Sequence, residues 1–173
     1  MATKNNVNLE AFEKAEKGIR SDASRGRRTN RIQGVWNLAE GQPQFSAELS
    51  FEGGKMTVEA DQPTFLGGGG SRPGPMMYAL YGSASCFTAT FVTVASKEGV
   101  KLDEVKTTVE ASLDFSKVFG VADLPIVEEV RIELSVRSDA SREVLERVLK
   151  LSEESCPATW CLRNPIRVVA NLA

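Results

Sequence analysis

Residues 67–97 read GGGGSRPGPMMYALYGSASCFTATFVTVASK, and this stretch decides the fold. From Pro73 to Ser96 it contains no charged residue. Pro75 suits the first turn of a helix, and Gly99 suits the residue just past its end. The pattern therefore predicts a helix from Pro75 to about Lys97. Because it is small or apolar on every face, we expect this helix to be buried all round.

An uncharged segment of this length could span a bilayer, but its content argues against that. It is small and polar rather than rich in leucine, with Gly82, Ser83, Ser85, Thr88, Thr90, Thr93 and Ser96. We therefore expect no membrane partner. The glycines Gly67–Gly70 are not followed by the Gly-Lys-Ser/Thr of a P-loop, so a tight or flexible loop is favoured over a phosphate site.

Period-2 patterns flank the central helix and predict half-buried strands. Before it lie a strand at Ile32–Leu38 and a hairpin, in which Phe45–Phe51 turns at Glu52-Gly53-Gly54. After it, two long strands follow, in which the apolar positions are Val105, Thr107, Val109, Ala111, Leu113 and Phe115, then Val130, Ile132, Leu134 and Val136. Each is expected to have one buried side and one wet side.

A second helix and a last strand complete the predicted order. Ser138-Asp139 is placed to cap this helix, and it should stop at Cys156-Pro157, because the residue before proline resists the helical conformation. A strand around Ile166 to Ala170 should close the chain. The order α-βββ-α-ββ-α-β predicts an α+β protein with antiparallel sheets.

The first 29 residues are predicted to precede the main domain, which spans residues 30–173. Leu9 to Arg20 has the spacing of a short amphipathic helix. Five arginines follow, at Arg20, Arg25, Arg27, Arg28 and Arg31. They lack interleaved aromatic residues, and the net charge is -2, so we expect a solvated loop and no nucleic-acid partner.

The composition excludes several kinds of active site. The 173 residues include no histidine, which removes Ser-His and Cys-His nucleophiles and histidine-ligated metals. Three cysteines are few, and an odd number cannot all pair within one chain, so a secreted disulfide scaffold is not expected. The N-terminus lacks a signal-peptide pattern. A cytoplasmic location is expected. From residue types alone the cysteines could be redox thiols, inert core thiols or a labile disulfide.

The resemblance of two segments to one family favours the redox interpretation. Gly67–Gly70, Pro73-x-Pro75 and the helix through Cys86 resemble the first cysteine signature of the OsmC/Ohr proteins, the osmotically inducible and organic-hydroperoxide-resistance proteins. Ser152-Glu153-Glu154-Ser155-Cys156-Pro157 resembles the second. The resemblance implies an OsmC-like fold, in which antiparallel sheets wrap around two central helices of an intertwined homodimer with active sites at the subunit interface.

The resemblance also implies a cysteine-based peroxidase that uses no metal, haem or flavin cofactor. Cys86 would attack a hydroperoxide and become a sulfenic acid, Cys156 would condense with it to a disulfide, and a small dithiol or thiol would reduce the pair. An arginine would activate Cys86, with Arg28, Arg31 and Arg72 as candidates. The glutamate that the peroxidases keep near the first cysteine is replaced here by Met76 and Met77.

Two questions stay open at this level. Cys161 lies outside both signatures and is either a core or interface residue or a second resolving thiol, if its Cα comes within about 7 Å of that of Cys156. The whole protein could instead be an OsmC-like stress or ligand-binding protein with little peroxidase activity. A lowered pKa of Cys86 would favour catalysis, and a raised one would favour a silent thiol.

Overall fold

The computed structural model describes residues 3–172, which form four α-helices and seven strands in small antiparallel sheets. In chain order the elements are β1 (Thr3–Lys4), β2 (Val7–Asn8), α1 (Leu9–Ser21), β3 (Gln33–Trp36), β4 (Phe45–Phe51), β5 (Gly54–Ala60), α2 (Pro75–Lys97), β6 (Glu104–Leu113), β7 (Val127–Arg137), α3 (Arg142–Ser155) and α4 (Pro157–Arg163). Three separate sheets form, β1-β2, β3-β4-β5 and β6-β7, within these residues. The expected mixture of helices and antiparallel strands is confirmed.

The described residues divide into two compact units, 3–17 with 80–172, and 18–79. The first unit holds the sheet β6-β7, the helices α3 and α4, and most of α2. The second holds the sheet β3-β4-β5 and the glycine-rich loop. The division into a lead-in of residues 1–29 and one OsmC-like domain of residues 30–173 stays a prediction.

The meander of the second unit follows the alternation in the sequence. β4 and β5 pair from Phe45 opposite Ala60 to Phe51 opposite Gly54, so the turn lies at the predicted glycines. Ala47 and Ala60 are the buried apolar residues of this sheet. β3, at Gln33–Trp36, is shorter than the strand predicted at Ile32–Leu38 and pairs with β4.

The core of the first unit lies where α2 and α3 pack on the sheet β6-β7. Phe91 and Ala95 of α2 meet Val100 and Val148, and all four side chains are buried. Phe87, Phe91 and Ala95 recur every four residues, so they lie on one face of the helix. This packing holds the middle of α2 in place.

The expectation that α2 is buried all round is wrong for the single chain. Only Phe87, Phe91, Ala95 and Ser96 are buried, whereas Met77 and Tyr81 are 60% and 72% exposed. One chain covers one face of the second half of the helix, and much of the first half stays uncovered. No helix of the described residues is both long enough and apolar enough to cross a membrane.

Both ends of α2 match the sequence prediction. Pro75 is its first residue. At the other end Gly99 has φ +77°, and the N–H groups of Gly99 and Val100 donate to the carbonyl oxygens of Ser96 and Ala95. This is the Schellman arrangement, which a glycine past the helix end permits.

Of three predictions near the C-terminus, two are wrong and one is confirmed. Ser141, rather than Ser138-Asp139, caps α3, because its hydroxyl accepts from the N–H of Val144, while the Ser138 hydroxyl donates to the carbonyl of Lys101. Pro157 ends α3 as expected but also begins α4, since proline is well suited to a first helical turn. The strand expected at Ile166 to Ala170 is absent from the described residues, because this segment finds no strand to pair with.

Candidate functional site

Cys86 lies in the middle of α2, immediately before the buried Phe87. Its thiol is partly buried. The hydroxyl of Thr90 donates to its carbonyl oxygen over 2.9 Å, and Phe87 anchors the adjoining turn in the first unit. The thiol is therefore held by a rigid helix while part of it remains accessible.

Cys156 is the joint between α3 and α4 and is 0% exposed. Its N–H donates to the carbonyl of Ser152 and completes α3, while its carbonyl accepts from the N–H of Trp160 and starts α4. Its backbone is extended (φ -74°, ψ 121°), so the two helices meet at an angle there. The Cys-Pro pair thus fixes the position of a fully buried sulfur.

The fold brings these two cysteines together across 70 residues of sequence. The Sγ atoms of Cys86 and Cys156 lie 3.8 Å apart and form an S–H···S contact. The distance is too long for the bond of about 2.05 Å in a disulfide, and both cysteines are free. A closure of less than 2 Å would bring the sulfur atoms to the length of a disulfide bond, which forms only on two-electron oxidation.

The surroundings shift the two thiols in opposite directions. Burial raises the pKa of Cys86, and the neighbouring Cys156 raises it further, although the N–H of Ala158 opposes this. Burial also opposes ionisation of Cys156, but the N–H and hydroxyl of Thr159, the Cys86 thiol and the Ala158 N–H outweigh it and lower its pKa. In the S–H···S contact the geometry makes Cys156 the donor, although either thiol can donate. The pKa directions indicate that Cys156 loses its proton before Cys86 does.

Thr159 is a functional candidate that the sequence prediction missed. Its side chain is 5% exposed, and its hydroxyl has no hydrogen-bond partner of good geometry. It nevertheless lies near enough to the Cys156 sulfur to lower the pKa of that thiol. We infer that the hydroxyl is unpartnered beside the neutral thiol and donates once the thiolate forms. Its position in the turn after Cys-Pro was the available signal.

Cys161 lies on α4 and is exposed. Five residues of helix separate it from Cys156, a rise of about 7.5 Å, whereas a disulfide requires Cα atoms within about 7 Å. Direct pairing of Cys156 and Cys161 would therefore require α4 to unwind. Its charge contributes, as the smallest effect, to raising the pKa of Cys86.

The three candidate arginines lie in the second unit and make local contacts there. Arg72 pairs with Glu59, Nε to Oε2, at 2.7 Å. Arg28 donates to the carbonyl oxygens of Arg25 and Arg27, and Arg31 makes a long contact of 3.5 Å with the side chain of Gln33.

Asp61 organises the glycine-rich loop. Asp61 is 2% exposed, and its carboxylate accepts from the N–H groups of Gly69 and Ser71 and from the Ser71 hydroxyl. These hydrogen bonds, the backbone one from Ser71 foremost, lower the pKa of Asp61. Gly67 and Gly70 have φ of +82° and +62°, which glycine adopts without strain. Among residues 3–172 no three Cys, Asp or Glu side chains gather in a way that could hold a metal ion.

The sequence also matches the model of a known family. Residues 68–171, which contain both cysteines of the pair, match the family described as OsmC-like protein. The chain belongs to the OsmC-like family. The expected membership is confirmed, and the matched range begins in the glycine-rich loop.

Solved structures support the OsmC-like fold. The OsmC-like protein of Mycoplasma pneumoniae has a TM-score of 0.60 at 19% identity, covering 79% of this chain and 88% of that one. The organic hydroperoxide resistance protein of Elizabethkingia anophelis, with thiocyanate bound, has a TM-score of 0.55 at 16% identity, covering 79% and 91%. That of Legionella pneumophila has a TM-score of 0.51 at 19% identity, covering 79% and 92%. No curated protein sequence matches the chain.

Proposed function

We propose that this OsmC-like protein is a thiol-dependent peroxidase that reduces organic hydroperoxides or hydrogen peroxide. The observation that carries the proposal is the 3.8 Å separation of the Cys86 and Cys156 sulfur atoms in a chain of this family. Two structural relatives are organic hydroperoxide resistance proteins. A pair of thiols at this distance is suited to reversible disulfide formation.

The proposed reaction has three balanced steps. The Cys86 thiolate attacks the peroxide, which breaks the O–O bond, and with one proton yields a sulfenic acid and an alcohol, or water from hydrogen peroxide. The Cys156 sulfur displaces water from the sulfenic acid and forms the disulfide. A dithiol or two thiols then reduce the disulfide and become oxidised themselves.

Exposure supports the assignment of Cys86 as the group that meets the peroxide. Cys86 is partly exposed, whereas Cys156 is fully buried. The raised pKa of Cys86 opposes its ionisation, so the proposed attack requires the Cys156 thiolate, whose sulfur lies 3.8 Å away, to accept the Cys86 proton first. A guanidinium from Arg28, Arg31 or Arg72 would stabilise the negative charge of the Cys86 thiolate. Those three arginines remain proposed site residues.

The test is a stoichiometric oxidation of reduced protein with cumene hydroperoxide. One equivalent should lower the free thiols from three to one per chain, and peptide mapping should find Cys86 joined to Cys156. Cys161→Ser is the matched control, because it should fall from two thiols to none at the same rate. Peroxide consumption that persists at the same rate in Cys86→Ser would contradict the proposal.

A second candidate function is ligand binding or a stress role with little peroxidase activity. The raised pKa of Cys86 favours it, as do Met76 and Met77, which offer an apolar surface where a peroxidase would have an acid. Under this alternative the purified protein would consume cumene hydroperoxide no faster than Cys86→Ser. The stoichiometric oxidation therefore separates the two functions.

We further propose that the protein acts in the cytoplasm as an intertwined homodimer, with its active sites at the subunit interface. The exposed side chains along the first half of α2, Met77 and Tyr81 among them, support dimerisation because large apolar groups on an uncharged helix favour a protein partner. Sedimentation at micromolar concentration should give a dimer. Tyr81→Arg should weaken it, whereas Lys150→Ala on α3 should not.

A further inference from the structure

A cavity of about 440 Å³ lies in the first unit, between β7, α3 and α4. We call it the β7–α3–α4 cavity. Apolar side chains line it from each direction: Phe87 of α2, Ile132 of β7, Leu149 of α3 and Leu162 of α4. Its volume falls within the range of about 300–1,000 Å³ that is usual for small-molecule sites. The cavity is therefore large enough for one small organic molecule.

Thr159 places a buried polar group beside the apolar part of this lining. It belongs to the lining and is 5% exposed, and its hydroxyl has no hydrogen-bond partner of good geometry beside the neutral Cys156 thiol. A buried hydroxyl without a partner costs free energy, so such groups are usually satisfied by water or a ligand. The first turn of α4, which Pro157 begins, fixes where this hydroxyl lies.

The charged groups of the lining disfavour an anionic ligand. Glu128, Glu129 and Glu153 face a single cation, Arg163, so the lining carries an acidic surplus. Arg163 already lies 3.6 Å from the carboxylate of Glu153, which occupies the guanidinium that a ligand carboxylate would need. Glu129 is paired with Arg131 at 2.8 Å. A neutral ligand avoids repulsion from this surplus.

We propose that the β7–α3–α4 cavity binds a neutral apolar molecule that carries one hydroxyl group, whose oxygen forms a hydrogen bond with the Thr159 hydroxyl. The apolar part of the ligand packs between Phe87 and Leu162, and its hydroxyl meets the buried Thr159 hydroxyl, which lacks a partner of good geometry. The site adjoins the cysteine pair, since Phe87 follows Cys86 and Thr159 lies beside Cys156.

A matched series of probes tests the proposal on the reduced full-length protein. The probes are 4-phenyl-1-butanol, pentylbenzene of nearly the same shape, and the 4-phenylbutyrate anion, with binding followed by the fluorescence of Trp160 on α4 and by calorimetry. The alcohol should bind saturably at one site per chain, about tenfold more tightly than the hydrocarbon, because it adds one buried hydrogen bond. The carboxylate should bind more weakly than the alcohol.

Three variants then assign the effect to the cavity. Thr159→Val should abolish the preference for the alcohol over the hydrocarbon, and Thr159→Ser should retain it. Ile132→Trp should fill the cavity and abolish binding of both the alcohol and the hydrocarbon. Circular dichroism should confirm that each variant is folded. The proposal is overturned by an absence of saturable binding to the folded wild type, by an alcohol preference that survives in Thr159→Val, or by tighter binding of the carboxylate.

Discussion

The sulfur atoms of Cys86 and Cys156 lie 3.8 Å apart, although one thiol belongs to the middle of α2 and the other to the joint between α3 and α4. The core around Phe91 and Val148 holds these helices together and so sets the separation of the thiols. The fold thereby creates a pair of neighbouring thiols in which one member, Cys156, is buried and the other remains reachable.

The first prediction concerns the titration of the pair in Cys161→Ser, followed by thiolate absorbance. Two steps are expected, the first below and the second above the ordinary pKa of a cysteine thiol, because the pKa of Cys156 is lowered and that of Cys86 is raised. Thr159→Val should move the first step upward, since it removes a donor to the Cys156 thiolate. A first step that is unchanged in Thr159→Val would contradict this account.

The second prediction concerns acid stability and Asp61. Its pKa is lowered in the folded state, so its contribution to stability is fully present above the unfolded pKa of about 3.9 and is lost as the pH falls through the folded value. Urea unfolding should show Asp61→Asn less stable than wild type at about pH 6, with the difference narrowing near pH 3.

Asp123→Asn is the control for this comparison. Asp123 forms an exposed ion pair with Lys117, and exposed pairs contribute little to stability. The variant should match wild type closely at both pH values. If the free energy of unfolding of Asp61→Asn stayed below that of wild type by the same amount at every pH, the carboxylate charge would not be what holds the glycine-rich loop.

Local patterns in the sequence predict most of the fold. The uncharged stretch predicts α2 with the observed bounds of Pro75 and Lys97, because proline and glycine mark both its ends. The alternation of apolar residues predicts β4, β5, β6 and β7 closely, and in β6 and β7 half-buried residues alternate with exposed ones. The prediction of a strand at Ile166 to Ala170 was wrong, because the sequence pattern cannot show whether a segment has a strand to pair with.

The candidate site depends on information that no local pattern contains. Cys86 would be taken for an ordinary core residue by composition alone, and only the family resemblance predicted its pairing with Cys156. Thr159 was missed because its importance arises from burial and from the angle between α3 and α4. Pro157 was interpreted as a stop signal, although a proline that ends one helix can begin the next.

The third prediction concerns a tight contact in the glycine-rich loop. A Cβ on Gly68 would lie 1.9 Å from the carbonyl oxygen of Gln62, a backbone atom that cannot move cheaply. Gly68→Ala should therefore lower the free energy of unfolding by about 1–3 kcal/mol, as measured by urea unfolding.

Gly82→Ala is the matched control for Gly68→Ala. Gly82 lies within α2 and has nothing within 4 Å of its added Cβ, so alanine should be stabilising by about 0.5–1 kcal/mol through its higher helix propensity. Equal effects of the two substitutions would show that the close approach at Gly68 is not the cause.

The fourth prediction concerns Asn5, which ties the N-terminal hairpin to the end of α2. Its amide nitrogen donates to the Ser96 hydroxyl and to the carbonyl of Val100, and its amide oxygen accepts from the N–H of Leu102, each over 2.9 Å. Its φ of +49° suits asparagine better than most residues. Asn5→Ala removes all three bonds and should cost about 2–3 kcal/mol in the free energy of unfolding.

The adjacent Asn6 separates the effect of the side chain from that of the turn. Asn6 has φ +65°, so Asn6→Gly keeps the backbone conformation and should change stability by less than about 0.5 kcal/mol. Asn5→Gly also removes the strain of alanine at positive φ but still loses the three hydrogen bonds. It should therefore remain clearly less stable than wild type, and a stability equal to that of Asn6→Gly would mean that the bonds from Asn5 to the end of α2 contribute nothing.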